Sequence, residues 1–341
     1  MAAIRHEHHC YELAPGQSVL DSLLENGVAI PHSCRNGVCQ TCLMRAVEGT
    51  PPPEAQKELS PTLRLQNYFL PCVCQPTEDL TVILPAGGEA TIPATVHELR
   101  PLNDEILQVS LEAHTALDYR PGQFIQLFRD EYLGRSYSIA SVPGHDERIQ
   151  LHVRRLPGGK ISGWIHEELR VGDTVGVRGP AGHCFYVPGL PEQPLLLIGT
   201  GTGLAPLFGI LRDALARGHT GPIRLFHGSR HQDGLYLTGE LRDLAAAYPQ
   251  FDYVPCVSGT AAAAGQVAGR ADDVALTEQA DLKGWRVFLC GHPEMVQQAQ
   301  IRAYLAGAAL NEIYADAFTV HPAPRHEENE TKYTKINMVT V

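Results

Sequence analysis

Four cysteines constrain this chain more than any other feature of its sequence. Four residues separate Cys34 from Cys39, two separate Cys39 from Cys42, and twenty-nine lie between Cys42 and Cys72. Thiolates at this spacing hold a 2Fe–2S cluster. Gly37 suits the short loop between the first two ligands, because a residue without a Cβ can adopt positive φ and bring backbone N–H groups close to the cluster sulfurs. We therefore predict one 2Fe–2S cluster bound by these four cysteines.

The fourth ligand has a competitor, since Cys74 follows Cys72 closely. We assign Cys72, because it gives the familiar spacing and lies four residues before Pro76. A disulfide framework and a zinc site are the alternatives for such a set of cysteines. Zinc sites favour paired short spacings, whereas a single distant cysteine completes this set.

Residues 34–79 resemble a chloroplast-type ferredoxin domain, in which three residues and a proline follow the last ligand, as they do after Cys72. Gln40 stands where such domains often carry glycine. Because it lies between two ligands, we expect its side chain to point outward. Apolar residues at helical spacing predict a helix over about 18–26. The resemblance implies a β-grasp-like α+β domain over residues 1–86.

Composition and charge argue against several functions. The net charge of −11 disfavours nonspecific binding to nucleic acid or anionic membranes, and it suits a partner with a basic docking patch. No stretch approaches about eighteen consecutive apolar residues, and the start lacks the apolar core of a signal peptide. We therefore expect a cytoplasmic protein without membrane insertion. The cysteines outside the ligand set are then expected to be free thiols: Cys10, Cys74, Cys184, Cys256 and Cys290.

Two further domains follow a short linker. Proline, glycine and small residues over 87–93 are typical of a connection between domains. Alternating strands with Pro-Gly and Gly-Asp turns predict a small antiparallel β-barrel over 94–189. Over 190–320, short buried strands alternate with helical segments, which predicts a parallel α/β sheet with ligands at the carboxyl ends of its strands. Residues 321–341 lack periodicity, and we expect a C-terminal extension there.

Two motifs in the barrel region indicate a bound dinucleotide. In an extended segment, Arg135 and Tyr137 point to one side and Ser136 and Ser138 to the other, so a cation and an aromatic ring can serve one ligand. Alone this segment is weak evidence for a binding site, because surface arginines and barrel tyrosines are common. Downstream, the glycine turn 158–159 leads into a predicted helix, whose first N–H groups can bind a pyrophosphate together with a serine hydroxyl.

These elements resemble the flavin-binding barrel of the ferredoxin–NADP reductase superfamily, whose Arg-x-Tyr-Ser and Gly-x-x-Ser motifs bind FAD. The resemblance implies that Arg135 and Ser162 bind the pyrophosphate and that Tyr137 packs against the isoalloxazine. It places Ser138 near the flavin nitrogen that accepts hydride. The predicted FAD-binding residues are Arg135, Ser136, Tyr137, Ser138, Val153, Arg154, Gly159, Lys160 and Ser162.

A glycine loop over 199–203 lies between a buried strand and a helix, where a pyrophosphate can reach the helix N-terminus. It does not fit the Rossmann fingerprint, but it resembles the NAD(P)H-binding loop of the same superfamily. Cys290 resembles the cysteine that approaches the nicotinamide in that superfamily; otherwise it would be a small buried residue. The predicted NAD(P)H-binding residues are Gly199, Thr200, Gly201, Thr202, Gly203, Ser229, Arg230, Cys290 and Gly291.

The preference for NADH or NADPH depends on residues 228–233, at the end of the predicted strand that begins at Ile223. Arg230 can pair with a 2′-phosphate, yet Gly-x-Arg segments also occur in NADH-using relatives, and residues 231–233 supply no second cation. We favour NADH and leave NADPH open. Phe318 ends a segment that resembles the acidic-x-Phe terminus of these reductases, where the aromatic ring shields the flavin. The predicted catalytic residues are thus Ser138, Cys290 and Phe318.

The order of the three domains resembles the electron-transfer reductases of bacterial ring-hydroxylating dioxygenases and multicomponent monooxygenases, over nearly all of residues 10–320. It implies electron transfer from NADH through FAD and the 2Fe–2S cluster to an oxygenase that docks transiently near the cluster. Three alternatives remain open. They are a stand-alone NAD(P)H:acceptor reductase, a reductase that serves a non-oxygenase enzyme, and a redox-sensing protein.

Overall fold

The computed structural model describes residues 2–30, 32, 35, 37, 42–57, 59–84, 91–130 and 133–318. Within these ranges the chain forms three sheets in succession, one mixed, one antiparallel and one parallel. This confirms the predicted folds, which are an α+β domain, then a β-barrel, then a parallel α/β domain. No helix in the described part of the chain combines the length and apolar character needed to cross a membrane.

The first sheet and its helices form the unit that contains the cysteine motif. Its elements are β1 (Ala3–His6), β2 (His9–Glu12), α1 (Val19–Glu25), β3 (Met44–Glu48), α2 (Pro61–Leu65), β4 (Tyr68–Phe69) and β5 (Leu80–Ile83). The strand order is β2-β1-β5-β3-β4, with only β1 and β5 paired in parallel. Ser18 caps α1 by accepting a hydrogen bond from the Asp21 N–H at 3.1 Å. Leu20 and Leu23 then pack into one core with the sheet.

The second sheet closes into a barrel. Its elements are β6 (Ile92–Pro101), β7 (Ile106–Ala113), β8 (Phe124–Phe128), β9 (Gly134–Ser138), β10 (Ile149–Arg154), α3 (Lys160–Glu167) and β11 (Thr174–Ala181). The antiparallel order is β10-β7-β6-β11-β8-β9. A further antiparallel bridge between Ile139 and Leu151 joins the two edges. Alternate residues of each strand fill the interior, as in the buried pair Val109 and Leu151.

The third sheet is parallel and carries helices on both faces. Its elements are β12 (Leu195–Thr200), α4 (Leu204–Ala216), β13 (Ile223–Ser229), α5 (Thr238–Ala247), β14 (Phe251–Val257), β15 (Val267–Ala268), α6 (Ala271–Glu278), β16 (Arg286–Gly291), α7 (Pro293–Leu305) and β17 (Ile313–Ala317). Helices α4 and α5 contribute to one hydrophobic core, and α6 and α7 to the other. The strand order β15-β14-β13-β12-β16-β17 reverses direction between β12 and β16.

That reversal places the glycine loop where a parallel sheet binds its ligands. Crevices form at the carboxyl ends of strands where the strand order changes direction. Here Gly199 on β12 pairs with Cys290 on β16, so the two predicted coenzyme motifs are neighbours in the sheet. Of the predicted linker, 87–90 lie outside the described residues, and Ile92 begins β6. The predicted extension 321–341 also lies outside them.

Gly203 lets the glycine loop pass close to β16. A Cβ at this position would lie less than 3.0 Å from the backbone carbonyl of Cys290. We expect Gly203→Ala to lower the free energy of unfolding by about 1–3 kcal/mol, because the backbone must shift to admit the methyl group. Urea unfolding followed by circular dichroism measures the change.

Gly239→Ala is the matched control for this substitution. Gly239 lies in α5, is exposed, and would place its Cβ in open space. The control should be stabilised by up to about 1 kcal/mol, because alanine favours helix over glycine. Equal stability of the two variants would contradict the close approach of the loop to β16.

Candidate functional site

A cleft of about 1720 Å³ runs between the barrel and the parallel sheet. It exceeds the roughly 300–1,000 Å³ of a typical small-molecule site, so it has room for two cofactors. The predicted residues that line it are Arg135, Ser136, Tyr137, Ser138, Arg154, Gly159, Lys160, Ser162, Thr200, Gly201, Thr202, Ser229, Arg230, Gly291 and Phe318. Four other predicted residues lie just behind the surface, fully or almost fully buried: Val153, Gly199, Gly203 and Cys290.

Strand β9 supplies the barrel side of the cleft. Arg135 is exposed, and within the described ranges its guanidinium forms no ion pair. Tyr137 is half-buried, and burial raises the pKa of its hydroxyl while the charge of Arg135 lowers it. The two side chains therefore interact from one side of the strand, as the alternation predicts. An unpaired cation beside a partly buried aromatic ring fits a phosphorylated flavin.

The N-terminus of α3 faces the same cleft. Gly159 precedes the helix, and a Cβ there would collide with the Ser162 hydroxyl. That hydroxyl accepts a hydrogen bond from the Leu156 N–H at 3.2 Å and is buried. The first N–H groups of an α-helix have no partner within the helix. The tight turn thus presents free donors that fit a pyrophosphate.

A hydrogen bond joins the barrel to the parallel sheet at the centre of the cleft. The Ser138 hydroxyl at the end of β9 donates to Oδ2 of Asp316 on β17 at 3.0 Å. Burial raises the pKa of Asp316, and the hydrogen bond from Ser138 opposes that shift. Phe318, half-buried two residues later, donates its backbone N–H to the Gly291 carbonyl at 2.8 Å. The end of β17 is therefore tied to both predicted cofactor sites.

Cys290 lies at the end of β16 with its side chain fully buried. Burial raises the pKa of its thiol well above the ordinary value, so the sulfur is protonated at neutral pH. Its Sγ lies 3.7 Å from Sγ of Cys184, a residue that follows the last barrel strand. The position favours a packing role behind the predicted nicotinamide site over nucleophilic chemistry.

His152 also lines the cleft, although its sequence context carries no signal for it. Its Nδ1 lies 3.1 Å from the Tyr236 hydroxyl, and its buried Nε2 has no hydrogen-bond partner among the described residues. Burial lowers the pKa of His152 to about 3, so the ring is neutral at physiological pH. A buried, unpaired nitrogen at the wall of a cleft fits a polar ligand such as a nucleotide.

The far end of the cleft lies at the carboxyl end of β13. Ser229 is half-buried and Arg230 is exposed. Asp233 and Asp272 also line this end, and Asp272 pairs with Arg270 at 3.3 Å. Two carboxylates therefore stand beside the predicted site of the adenosine ribose.

The cysteine site is described in part, because Cys34, Cys39 and Gln40 lie outside the described residues. Cys42 is buried and Cys72 is half-buried, and burial, together with the nearby Cys72 thiol, raises the pKa of the Cys42 thiol to about 11. Cys74 is fully buried, and burial alone raises the pKa of its thiol to about 12, so Cys72 and not Cys74 is the cysteine that acts on Cys42. This placement favours Cys72 over Cys74 as the fourth ligand.

The ligand loop lies against the segment that carries Cys72. Gly37 has φ of +76°, the left-handed region that glycine adopts readily. A Cβ on Gly37 would lie 3.1 Å from the Val73 side chain, so the loop and the residue after Cys72 are in close contact. Gly37, Cys42 and Cys72 therefore lie close together. This arrangement fits a cluster held by thiolates from the loop and from the segment around Cys72.

Three family models match successive parts of the chain. They are the 2Fe-2S iron-sulfur cluster binding domain over residues 3–77, the oxidoreductase FAD-binding domain over 96–186 and the oxidoreductase NAD-binding domain over 197–300. The reductase component of the naphthalene 1,2-dioxygenase system from Pseudomonas putida is 34% identical over 309 residues, which cover 89% of this chain and 94% of that relative. The chain belongs to the family of ferredoxin–NAD(P)+ reductase components of oxygenase systems.

Other relatives agree with this assignment. The reductase subunit of an aromatic O-demethylase from Amycolatopsis is 35% identical over 303 residues, covering 85% of this chain and 90% of that subunit. The crystal structure of an Amycolatopsis cytochrome P450 reductase superposes with a TM-score of 0.65 at 31% identity, covering 94% of this chain and 99% of that one. The protein is thus an electron-transfer oxidoreductase with 2Fe–2S, FAD and NAD(P)H as its cofactors.

We expect Cys72→Ser to abolish the cluster of the reductase while FAD content and NADH-to-dye activity remain. Serine offers no thiolate to iron, whereas the barrel and parallel sheet do not depend on this residue. Iron content and visible absorbance measure the loss. Cys74→Ser is the control, and it should retain the cluster because the Cys74 thiol is fully buried and its pKa is raised by burial alone. Loss of the cluster in Cys74→Ser but not in Cys72→Ser would reverse the assignment.

We expect Ser138→Ala to slow NADH-to-dye reduction by the reductase about tenfold, the size of one lost hydrogen bond at a site that positions reacting groups. Stopped-flow measurement of flavin bleaching at equal FAD content checks this. Ser110→Ala is the control, because Ser110 is also a buried barrel serine that donates to a carboxylate, here Glu98 at 3.3 Å, away from the cleft. Equal slowing of both variants would show a general effect on the barrel.

Proposed function

We propose that this reductase takes electrons from NADH in the cytoplasm and delivers them to a partner oxygenase. The observation that carries the proposal is the Ser138–Asp316 contact, since it holds the flavin side and the nicotinamide side of the cleft together. When bound, FAD would supply two-electron acceptance from the coenzyme and the 2Fe–2S cluster would supply one-electron transfer, so that a two-electron donor could serve a one-electron acceptor.

Each side of the cleft has a defined task in this proposal. Arg135 and the N-terminus of α3 bind the flavin pyrophosphate, and Tyr137 packs on the flavin ring. Asp316 accepts the Ser138 O–H and so fixes this side chain, whose oxygen would face the reacting end of the ring as a hydrogen-bond acceptor. Phe318, held by the Gly291 carbonyl, covers the position where the nicotinamide enters. Positioning of this kind is the main contribution that a protein makes to hydride transfer.

The coenzyme loop binds the other nucleotide. The turn Gly201–Gly203 leads directly into α4, so its N–H groups face the coenzyme pyrophosphate. Arg154 lies beside it, since a Cβ on Gly201 would be 3.8 Å from the Arg154 guanidinium. Both strands that end here are buried in the sheet, so the loop has a rigid base.

The preference for NADH rests on the charges at the ribose end. Arg230 is the cation that directly follows β13, whereas Asp233 and Asp272 line the same end of the cleft. Arg270, which also lines it, is paired with Asp272 and Asp273. Among the described residues that line this end, two cations and two carboxylates leave no net positive charge for a 2′-phosphate, whereas a 2′-hydroxyl can donate to a carboxylate.

An oxygenase partner is supported by the systems to which the relatives belong, which include a naphthalene dioxygenase and an aromatic O-demethylase. The net charge of −11 favours a partner with a basic docking surface. A stand-alone reductase is the second candidate, because a dye-like acceptor can take electrons directly from a flavin. The two differ in whether electrons leave through the cluster.

We expect the protein to reduce cytochrome c, a one-electron acceptor, with a kcat/KM at least about tenfold higher for NADH than for NADPH. The physical reason is that the described residues at the ribose end offer a 2′-phosphate no net positive charge, and about 1.4 kcal/mol corresponds to that ratio. Steady-state kinetics with both coenzymes measure it. A higher kcat/KM for NADPH would refute the coenzyme assignment, and dye reduction without cytochrome c reduction would favour the stand-alone reductase.

A further inference from the structure

A hydrogen-bonded pair of glutamines joins the iron–sulfur domain, defined here as the first sheet with its helices, to the flavin barrel. Gln66 directly follows α2, and Gln123 directly precedes β8. Nε2 of Gln123 donates to Oε1 of Gln66 at 3.0 Å and to the carbonyl of Gly182 at 3.1 Å. Nε2 of Gln66 donates to the same carbonyl at 3.3 Å. Both amides thus meet at one backbone group just after β11.

Gln66 supplies one of the three hydrogen-bond partners of the buried Gln123 amide. The Gln123 side chain is only 4% exposed, and its Oε1 accepts from the Arg120 N–H at 2.9 Å. If the iron–sulfur domain moved away, the buried amide of Gln123 would lose Gln66 as a partner. Loss of one hydrogen bond from this amide is unfavourable, so the contact opposes separation of the two domains.

The pair also links the neighbourhoods of the two redox cofactors. The backbone carbonyl of Gln123 accepts from the Ile139 N–H at 2.7 Å, immediately beside Ser138. On the other side, Gln66 also donates to the Thr62 carbonyl at 3.1 Å and begins the turn into β4, which leads to Cys72. A short, hydrogen-bonded path therefore runs from the flavin face of the barrel to the segment of a predicted cluster ligand.

We propose that Gln66 is a positioning residue that fixes the iron–sulfur domain on the flavin barrel and thereby supports electron transfer out of the flavin, with no part in hydride transfer. This inference rests on the proposed route through the cluster. Gln66 lies outside the cleft lining formed by the described residues, so its loss leaves the NADH and flavin contacts in place. Its effect should appear only in reactions that use the cluster.

The test compares Gln66→Ala with Gln56→Ala in the holoprotein. Gln56 is an equally half-buried glutamine of the same domain, and its Nε2 donates at 2.8 Å to the Tyr68 carbonyl within that domain. Hydrogen–deuterium exchange is followed in peptides covering 61–73 and 181–186. In Gln66→Ala the protected amides of both peptides should exchange about tenfold faster, since two hydrogen bonds across the interface are lost.

Two activities complete the comparison. In Gln66→Ala, NADH-driven reduction of cytochrome c should fall several-fold, whereas ferricyanide reduction, which draws on the flavin, should keep its wild-type rate. Gln56→Ala should match the wild type in both activities and in the 181–186 peptide. This pattern would support the proposal, because a general loss of stability would affect both variants.

Three results would overturn the inference. They are unchanged exchange in Gln66→Ala, an equal fall in both activities, and the same behaviour in Gln56→Ala. If the wild-type protein itself reduced ferricyanide but not cytochrome c, the proposed function would fail instead. The exchange data alone would then decide whether Gln66 fixes the interface.

Discussion

The hydrogen bond between Ser138 and Asp316 is the contact on which the arrangement of the cleft depends. One residue ends a barrel strand and the other ends the outermost strand of the parallel sheet, so the bond fixes two separately folded units at the point where their cofactors meet. A second contact supports it, because Arg212 on α4 pairs with both carboxylate oxygens of Asp146 in the barrel at 2.7 and 2.9 Å. A bidentate pair of this kind restricts orientation as well as distance.

Hydrogen bonds between domains also hold the iron–sulfur domain against the barrel. Electrons that enter at the nicotinamide leave through a domain that contacts the barrel on another side, at Gln66, Gln123 and Gly182. The barrel is therefore the central element, and its β8–β9 hairpin has a role in both contacts. Phe124 of β8 pairs with Ser138 of β9, and Gln123 immediately precedes that pair. A small shift of this hairpin would change both the Ser138–Asp316 distance and the Gln123–Gln66 distance.

Much of this architecture could be predicted from the sequence, because its motifs are local. The first three cysteines, the Arg135–Ser138 segment and the glycine loop each place their functional groups within a few residues, so backbone geometry brings each group together. The fourth cysteine, Cys72, is assigned from its familiar spacing. The parallel sheet was predictable for a similar reason, since buried strands alternate with helices. Asp316 also carried a signal, as the acidic residue of the segment that ends at Phe318. Domain boundaries and the roles of individual site residues stay predictions.

Other features have no local signal. Cys184 and Cys290 lie 106 residues apart in sequence and come within 3.7 Å only because the barrel packs on the sheet. His152 is one histidine in a strand, and its role at the cleft depends on Tyr236 from another domain. Gln66 and Gln123 are 57 residues apart and meet at a domain interface. Contacts of this kind depend on how domains pack, which a single sequence does not specify by spacing or periodicity.

The most direct test of the account is an anaerobic titration of the purified holoprotein with NADH, followed by absorbance and electron paramagnetic resonance. The account predicts that NADH in excess bleaches the flavin, diminishes the iron–sulfur bands and produces the resonance signal of a reduced 2Fe–2S cluster; an excess is needed because one NADH carries two electrons and the two cofactors together accept three. A flavin that bleaches while the iron–sulfur bands and the resonance spectrum stay unchanged would contradict it, because electrons would then not pass from the flavin to the cluster.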